Sequence, residues 1–469
     1  MPETDSHPPA HGPADAGEKG SPDRVGDATH GVDVLAGFMA QLKYESLPSE
    51  VRSRLSTLLL DLFGVTAAGH QTSEMQRLLE HWEPAPGPAP LFGTGVTTDP
   101  ETATVLNAAA ACCLELDEGN KHANGHPALH VVFAALAAAQ TSKNVVTGQD
   151  FLVAVAAGYE VAARFGASLN RDARWHPHGN SGATGAACAA ALIHGLSRDQ
   201  TAAAIDSSSG LMHVTPWAMV LNGNFTRNFW AGGANIAGLT ASRLAGAGLI
   251  QNTGSAGSSL GDLVGSLDAA TLTRGLGDGW YLEQGYNKIH ASCSYTHAAV
   301  DVIQDLRKEH RFRSDEVATV EVRTNSLARP LLTRQAYNRL SGMFSLPFVA
   351  AVAVLHEAVD SRTMDPSAPE FEEAWRFMNR IDVSVDPDLD RYLPSERWTK
   401  VRIQLVDGRY VEGAQPNPVG DTDFFPMDRR QICAKLSKLV GERRAQELSA
   451  VVDELPETRD VHTTVMALR

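Results

Sequence analysis

Phe151-Leu-Val-Ala-Val-Ala-Ala-Gly-Tyr-Glu-Val-Ala-Ala-Arg-Phe-Gly-Ala167 is built largely from alanine and aliphatic residues. Alanine has the highest helix propensity, and its small side chain lets helix axes approach closely. Five further segments share this character: residues 102–114, 130–140, 182–196, 231–247 and 298–306, separated by Gly, Asn and Pro loops. Together the six predict a compact bundle of buried helices.

Outward from this core the pattern changes. Residues 32–42 and 48–68 place Leu, Val and Ile at three- and four-residue spacings, with a helix start at Pro48-Ser49-Glu50. Residues 83–90 form a Pro-rich connector, and residues 1–31, rich in Pro, Gly, Asp, Glu and His, read as a disordered tail. Beyond Phe312 the chain reads as strand over 314–324, 380–385 and 399–405. An Asp407-Gly408 hairpin turn then leads into 409–412. Residues 346–359 and 371–379 read as helix between these strands, and 429–455 returns to helix. The fold class is therefore mainly α. A large all-α domain covers 32–285, with 416–469 packing back on it, and a smaller α+β unit covers 286–415.

Hydrophobic residues make up 43% of the 469-residue chain and charged residues 20%, an ordinary globular composition. The formal net charge of −15 argues against a general nucleic-acid binder, which usually carries a basic face. It leaves room for an anionic small substrate in a locally positive pocket. The five cysteines form no C-x-x-C pair, so neither a zinc site nor a disulfide framework is signalled, and a reducing cytoplasm is the simplest setting. No secretory h-region opens the chain, and no charge-free apolar run reaches about 18 residues, so no membrane span is expected.

Four clusters bear chemistry. The first is Leu114-Glu-Leu-Asp-Glu-Gly-Asn-Lys-His-Ala-Asn-Gly-His-Pro-Ala-Leu-His130, where Glu115, Asp117 and Glu118 precede His122 and His126. Carboxylates beside imidazoles suit proton transfer. The four-residue spacing of His122 and His126 would suggest metal on a helix, but Asn124-Gly125 disfavours helix there and H-E-x-x-H is absent. The second is Arg174-Trp-His-Pro-His-Gly-Asn180, ahead of a small-residue helix whose N-terminal N–H groups would suit a carboxylate. The third, 222–233, holds Arg227, a bidentate carboxylate partner by type. The fourth is Tyr286-Asn-Lys-Ile-His-Ala-Ser-Cys-Ser-Tyr-Thr-His297, with Lys288, His290 and Cys293 at the inferred domain junction, where ligand pockets favour forming. Each also has a bland reading: a polar capping loop, exposed loop histidines, a surface arginine, a packed thiol. Gly257-Ser-Ser-Leu-Gly261 matches G-x-S-x-G formally, but no strand precedes it, and it reads as a flexible loop.

In order and spacing these clusters resemble the MmgE/PrpD family, which includes 2-methylcitrate dehydratase, cis-aconitate decarboxylase and iminodisuccinate epimerase. The resemblance rests on Asn107-Ala-Ala-Ala, Asp117-Glu118, His126-Pro127, Trp175-His176-Pro177, Thr226-Arg227, Lys288, Cys293, Thr296-His297 and Phe344-Ser-Leu-Pro-Phe348, in register from about residue 35 to the end. It implies an all-α domain and an α+β lid with the active site between them, a homodimer, and no metal or cofactor. It implies His126, His176, Lys288, Asp117 and Cys293 as catalytic, with Glu115 as the alternative to Asp117. The substrate-binding candidates are Arg227, Asn120, His122, His290 and Tyr337. Arg227 stands where the family often has Lys. Cys293 stands where dehydratases often have Cys and cis-aconitate decarboxylases typically His.

The resulting expectation is a lyase or isomerase that removes a proton next to a carboxylate of a small polycarboxylate. Dehydration of a 2-methylcitrate-like acid comes first, then epimerisation or decarboxylation. Arg227, Lys288 and the loop N–H groups of 179–182 would hold carboxylates, and His126 or His176 would be the base. The rival is a non-catalytic helical scaffold or binding protein. Convergence of His126, His176, Arg227 and Lys288 on one cavity separates the two.

Overall fold

A computed structural model describes residues 24–469, so the expected tail lies outside the described residues up to position 23. Its last part is corrected: the first helix, Arg24–Met39, takes in residues 24–31. Val32, Leu35, Ala36 and Met39 bury against Val161, Phe165, Cys188 and Ile205, and a helix so nucleated extends at one hydrogen bond per added residue.

Five of the six alanine-rich segments form the bundle: Pro100–Ala111, Pro127–Thr141, Gly148–Ser168, Gly182–Ile193 and Thr226–Gly246. The middle pair touches backbone to backbone. A Cβ added at Gly185 would lie 2.2 Å from the Gly158 carbonyl oxygen. Gly148–Ser168 has the length and apolarity to cross a membrane, but 94% of its apolar window is covered by protein. The sixth segment, Ser294–His310, does not join the bundle. It packs on Leu346–Leu355 and on the sheet of the second lobe.

That sheet runs in the order Tyr410–Gln415, Thr399–Leu405, Val317–Thr324, Ile381–Val385, with the last pair parallel and the others antiparallel. Alternation buries Val320, Val322, Val401 and Ile403 on one face and leaves Glu321, Arg323, Lys400 and Arg402 on the other. The chain then returns to the first lobe. Arg429–Val440 and Glu442–Glu454 are separated by Gly441 at φ 84, and Lys435 Nζ sits 2.6 Å from Asp61 Oδ1 on the helix Ser49–His70.

The segment expected to be a flexible loop is ordered. Gly257–Val264 is π-helical, with Leu260 and Val264 in the core. Its approach is fixed by buried Asp206, whose carboxylate accepts the N–H groups of Thr253, Gly254, Ser255 and Ala256.

Candidate active site

A cavity of about 460 Å³ lies between the two lobes. The helical lobe contributes Glu115, Asn120, His126, Arg171, His176, Trp217 and Arg227, and the second lobe Cys293, Tyr295, Arg329, Phe344 and Arg397. Its size suits a small organic acid.

The acidic loop reaches the cavity because Pro100–Ala111 ends before it and Pro127–Thr141 begins after it, with His126 as the N-cap residue. Pro127 fits the first helical position, where no N–H partner is needed. Between the helices Glu115 and Asn124 take left-handed backbone at φ 52 and 53, and Gly119–Asn120 pairs with Gly285–Tyr286. That pairing draws the Lys288 segment up to the acidic loop.

Five ionisable groups then form one chain. Arg227 Nη2 pairs with Glu115 Oε1. Lys288 Nζ lies 3.3 Å from Glu115 Oε2 and 3.4 Å from Asp117 Oδ1, and Asp117 Oδ2 lies 3.0 Å from His126 Nδ1. Arg227, Lys288, Glu115 and Asp117 are all buried. Burial alone would raise the Asp117 carboxyl, but Lys288 and then His126 outweigh it and hold it well below the usual range. Burial would likewise lower the Lys288 ammonium, and Asp117 and Glu115 outweigh it and hold it raised. Two cations and two anions thus neutralise one another inside the protein.

The histidines have tautomers set by their partners. His126 Nδ1 is 2.6 Å from the Glu118 carbonyl oxygen, which accepts only, so Nδ1 carries the proton and Nε2 keeps its lone pair. His176 Nδ1 accepts the His178 N–H at 3.1 Å, so its proton sits on Nε2. Burial, then the Arg227 charge, pushes His176 well below its ordinary value and keeps it neutral. His130 Nε2 accepts the Gly179 N–H at 3.2 Å, and burial lowers its pKa to about 4. His178 stands among these rings, with centroids 4.7 Å from His126, 5.3 Å from His130 and 4.7 Å from His176, and neither of its nitrogens has a partner among the described residues.

Cys293 lines the cavity as the N-cap of Ser294–His310, and burial raises its thiol to about 11, so it is protonated near neutral pH. His126, His176 and Arg227 meet as expected, with Cys293 beside them. Lys288 does not line the cavity. It sits behind Glu115 and Asp117 as their counter-ion, which corrects its expected contact with substrate.

Other candidates are moved. Asn120 reaches the cavity wall but spends its polar atoms on the loop: Nδ2 donates to Tyr281 O and Tyr159 Oη, and Oδ1 accepts from His122 and Ala123 N–H. His122 is half-buried outside the lining. His290 Nε2 is 2.9 Å from Asp301 Oδ1, away from the cavity, and Tyr337 is 69% exposed on the surface. Hydrogen bonding explains His290: a buried carboxylate claims it before a ligand does. Within the expected 179–182 cradle, the N–H groups of Gly179 and Ser181 are already taken, by His130 Nε2 and Asn180 Oδ1.

Sequence reasoning missed Arg171 and Arg397. Arg171 Nη2 donates to Asn124 O and Arg397 Nη2 to Lys121 O, both at 3.3 Å. Neither has a carboxylate partner among the described residues. Arg171 directly follows Leu169-Asn170, four positions ahead of Trp175 in the Trp-His-Pro motif, and Arg397 precedes a strand without any motif; neither position carries a chemical signal.

Asp117, His126 and His178 form one group of metal-type donors, with ligand atoms within 4.8 Å of one another. The fit is poor. His126 Nδ1 is engaged by Glu118 O, Asp117 by Lys288, and the Lys288 and Arg227 charges stand close by.

The MmgE/PrpD N-terminal domain model matches residues 33–255, and the MmgE/PrpD C-terminal domain model matches residues 290–456. A cis-aconitate decarboxylase-like protein of Aspergillus oryzae is 24% identical over 467 residues, covering 91% of this chain and 95% of that one. A cis-aconitate decarboxylase of Aspergillus terreus is 24% identical over 472 residues, covering 91% and 93%.

Proposed function

The chain belongs to the MmgE/PrpD family, and on that premise we propose that it is a lyase that removes a proton from the carbon next to a carboxylate of a small di- or tricarboxylate. One observation carries the reading: in a cationic cavity between two lobes, His126 holds its proton on Nδ1 and keeps an unshared pair on Nε2. Asp117 compensates the imidazolium that forms when Nε2 takes the substrate proton, as a buried carboxylate does for a general base. His126 rather than His176 is the base, since His176 presents Nε2–H to its surroundings and acts as a donor.

Dehydration comes first. Nε2 takes the C–H proton, the electron pair becomes the C=C bond, and the leaving hydroxyl departs as water with the Cys293 thiol proton. The thiolate then recovers a proton from the imidazolium. A thiol protonated at neutral pH and lining the cavity supports this role. Decarboxylation is the second reading, favoured by the two fungal relatives named for it. There the C–COO⁻ bond supplies the electron pair, CO₂ leaves, and the carbanion takes the Cys293 thiol proton, which the thiolate then regains from solvent. The reaction needs side chains alone, in a cytoplasmic homodimer.

The test is incubation with citrate, 2-methylcitrate, cis-aconitate and iminodisuccinate, with products read by NMR. Loss of water from the hydroxy acids supports the first reading and loss of CO₂ from cis-aconitate the second. Dialysis against EDTA should leave the rate unchanged. Turnover of none of the four acids contradicts both readings.

A further inference from the structure

The substrate's carboxylates need positive charge, and the two cations expected to supply it are already occupied. Arg227 and Lys288 are neutralised by Glu115 and Asp117. Other buried cations are spent in the same way: Lys121 on Asp421 and Asp423, Arg164 on Glu160, Arg339 on Glu74 and Asp365, Lys435 on Asp61.

Arg171 and Arg397 are different. Both line the cavity, and each donates one hydrogen bond to a backbone carbonyl and none to a carboxylate. The Nε of each is buried without a partner among the described residues, as is that of Arg227, which differs in holding Glu115 through Nη2. Arg397 is only 8% exposed, its guanidinium held 5.3 Å from the Tyr295 ring centroid and 5.8 Å from that of Tyr286. The carboxylate nearest Arg171 in sequence, Asp172, is taken by Arg174 at 2.9 Å. Burial lowers Arg171 only to about 10, so it stays charged at neutral pH. A buried guanidinium with an unfilled donor and no counter-ion is an unfinished ion pair. Arg171 comes from the helical lobe, on the short strand Leu169–Arg171, and Arg397 from the second lobe, just before Thr399–Leu405.

We propose that Arg171 and Arg397 form a carboxylate clamp across the two lobes, holding a carboxylate of the substrate other than the one beside the reacting carbon. This rests on the lyase reading above and narrows it. The ligand is an acyclic acid with at least two carboxylates, and its binding ties the lobes together. Guanidinium recognises carboxylate through paired N–H donors, and each such contact is worth about tenfold or more in affinity.

The test uses tricarballylate, a tricarboxylate without a leaving hydroxyl, and butyrate, a monocarboxylate, in calorimetric titrations of the full chain. The variants are Arg171→Gln, Arg397→Gln and Arg397→Lys. Wild type should bind tricarballylate. Each Gln variant should weaken that binding about tenfold or more, with Arg397→Lys between Gln and wild type. Butyrate should bind all four proteins alike. With whichever acid is turned over, the variants should raise KM and leave kcat within about threefold. Arg397→Lys keeps the charge and reads out the clamp should a Gln variant fail to fold.

Tricarballylate binding unaffected by the substitutions, or absent in wild type, overturns the clamp. Equal losses for butyrate and tricarballylate with a fall in kcat would mean that the arginines only tether the 121–126 loop, and would also overturn it. Arg-dependent tricarballylate binding by a protein that turns over none of the acids leaves the clamp standing and removes the lyase reading alone.

Discussion

Asp117 Oδ2 lies 3.0 Å from Nδ1 of His126, yet takes no directed hydrogen bond from it; the ring N–H goes to the Glu118 carbonyl oxygen at 2.6 Å. Two jobs are thereby separated. The carbonyl fixes the tautomer, and the carboxylate supplies the charge that a protonated ring needs. Asp117→Asn keeps the shape and the Glu118 contact but removes the charge. It should lower kcat by about 10²–10⁴ with KM little changed. Steady-state kinetics on the acid identified by NMR check this, and a kcat within about threefold of wild type contradicts it.

Among the described residues Lys288 is the sole lysine touching both Glu115 and Asp117, and none of its surface is exposed. Lys288→Ala leaves two buried carboxylates with one fewer cation, and breaking such a pair costs about 3–5 kcal/mol. Urea unfolding should show that loss even without substrate. A difference within about 0.5 kcal/mol of wild type would contradict the network.

The pattern of what the sequence disclosed follows the same physics. Alanine-rich helices and alternating strands declare themselves because propensity and periodicity are local, so the bundle and sheet were legible. That Ser294–His310 belongs to the sheet and not to the bundle was not, since propensity says nothing about partners. The motif residues His126, His176, Arg227 and Cys293 were found by spacing and resemblance. Whether a charge faces substrate or another side chain depends on the third dimension, which is why Lys288 was misplaced and Arg171 and Arg397 were overlooked. His290 was misassigned for the same reason: its partner Asp301 lies a helical stretch away. The Gly257–Val264 segment looked loose because its order comes from Asp206, about 50 positions earlier.

Glu118 titrates in the neutral range. Burial raises its pKa from 4.5 to about 7, and Oε2 has no partner among the described residues. Between those values the folded chain binds more protons at this site than the unfolded chain, so the site's contribution to stability falls as pH rises from 4.5 to about 7, then levels off. Glu118→Gln keeps an oxygen for the Ala128 N–H and removes the titration. Relative to wild type it should gain stability over that window, on the order of 3 kcal/mol in all. Urea unfolding at intervals between pH 5 and 8 checks the trend, and a pH-independent difference contradicts it.

The contact between Gly148–Ser168 and Gly182–Ile193 admits no side chain at Gly185, since a Cβ there would lie 2.2 Å from the Gly158 carbonyl oxygen. Backbone on one side cannot rotate away as a flexible side chain does. Gly185→Ala should therefore destabilise by about 1–3 kcal/mol despite alanine's better helix propensity. Thermal unfolding would show a lower Tm. An unchanged or raised Tm would mean that the two helices do not meet here.

The proposed chemistry turns on His126 Nε2 taking a proton from the carbon beside a carboxylate. The most direct measurement follows deuterium uptake at that carbon by NMR, with each candidate acid in D₂O, for wild type and His126→Gln. Wild type should introduce deuterium at that carbon in at least one substrate or product, and His126→Gln should do so about 100-fold more slowly or worse. Uptake at the wild-type rate in the Gln variant, or none with any acid in wild type, would contradict the account.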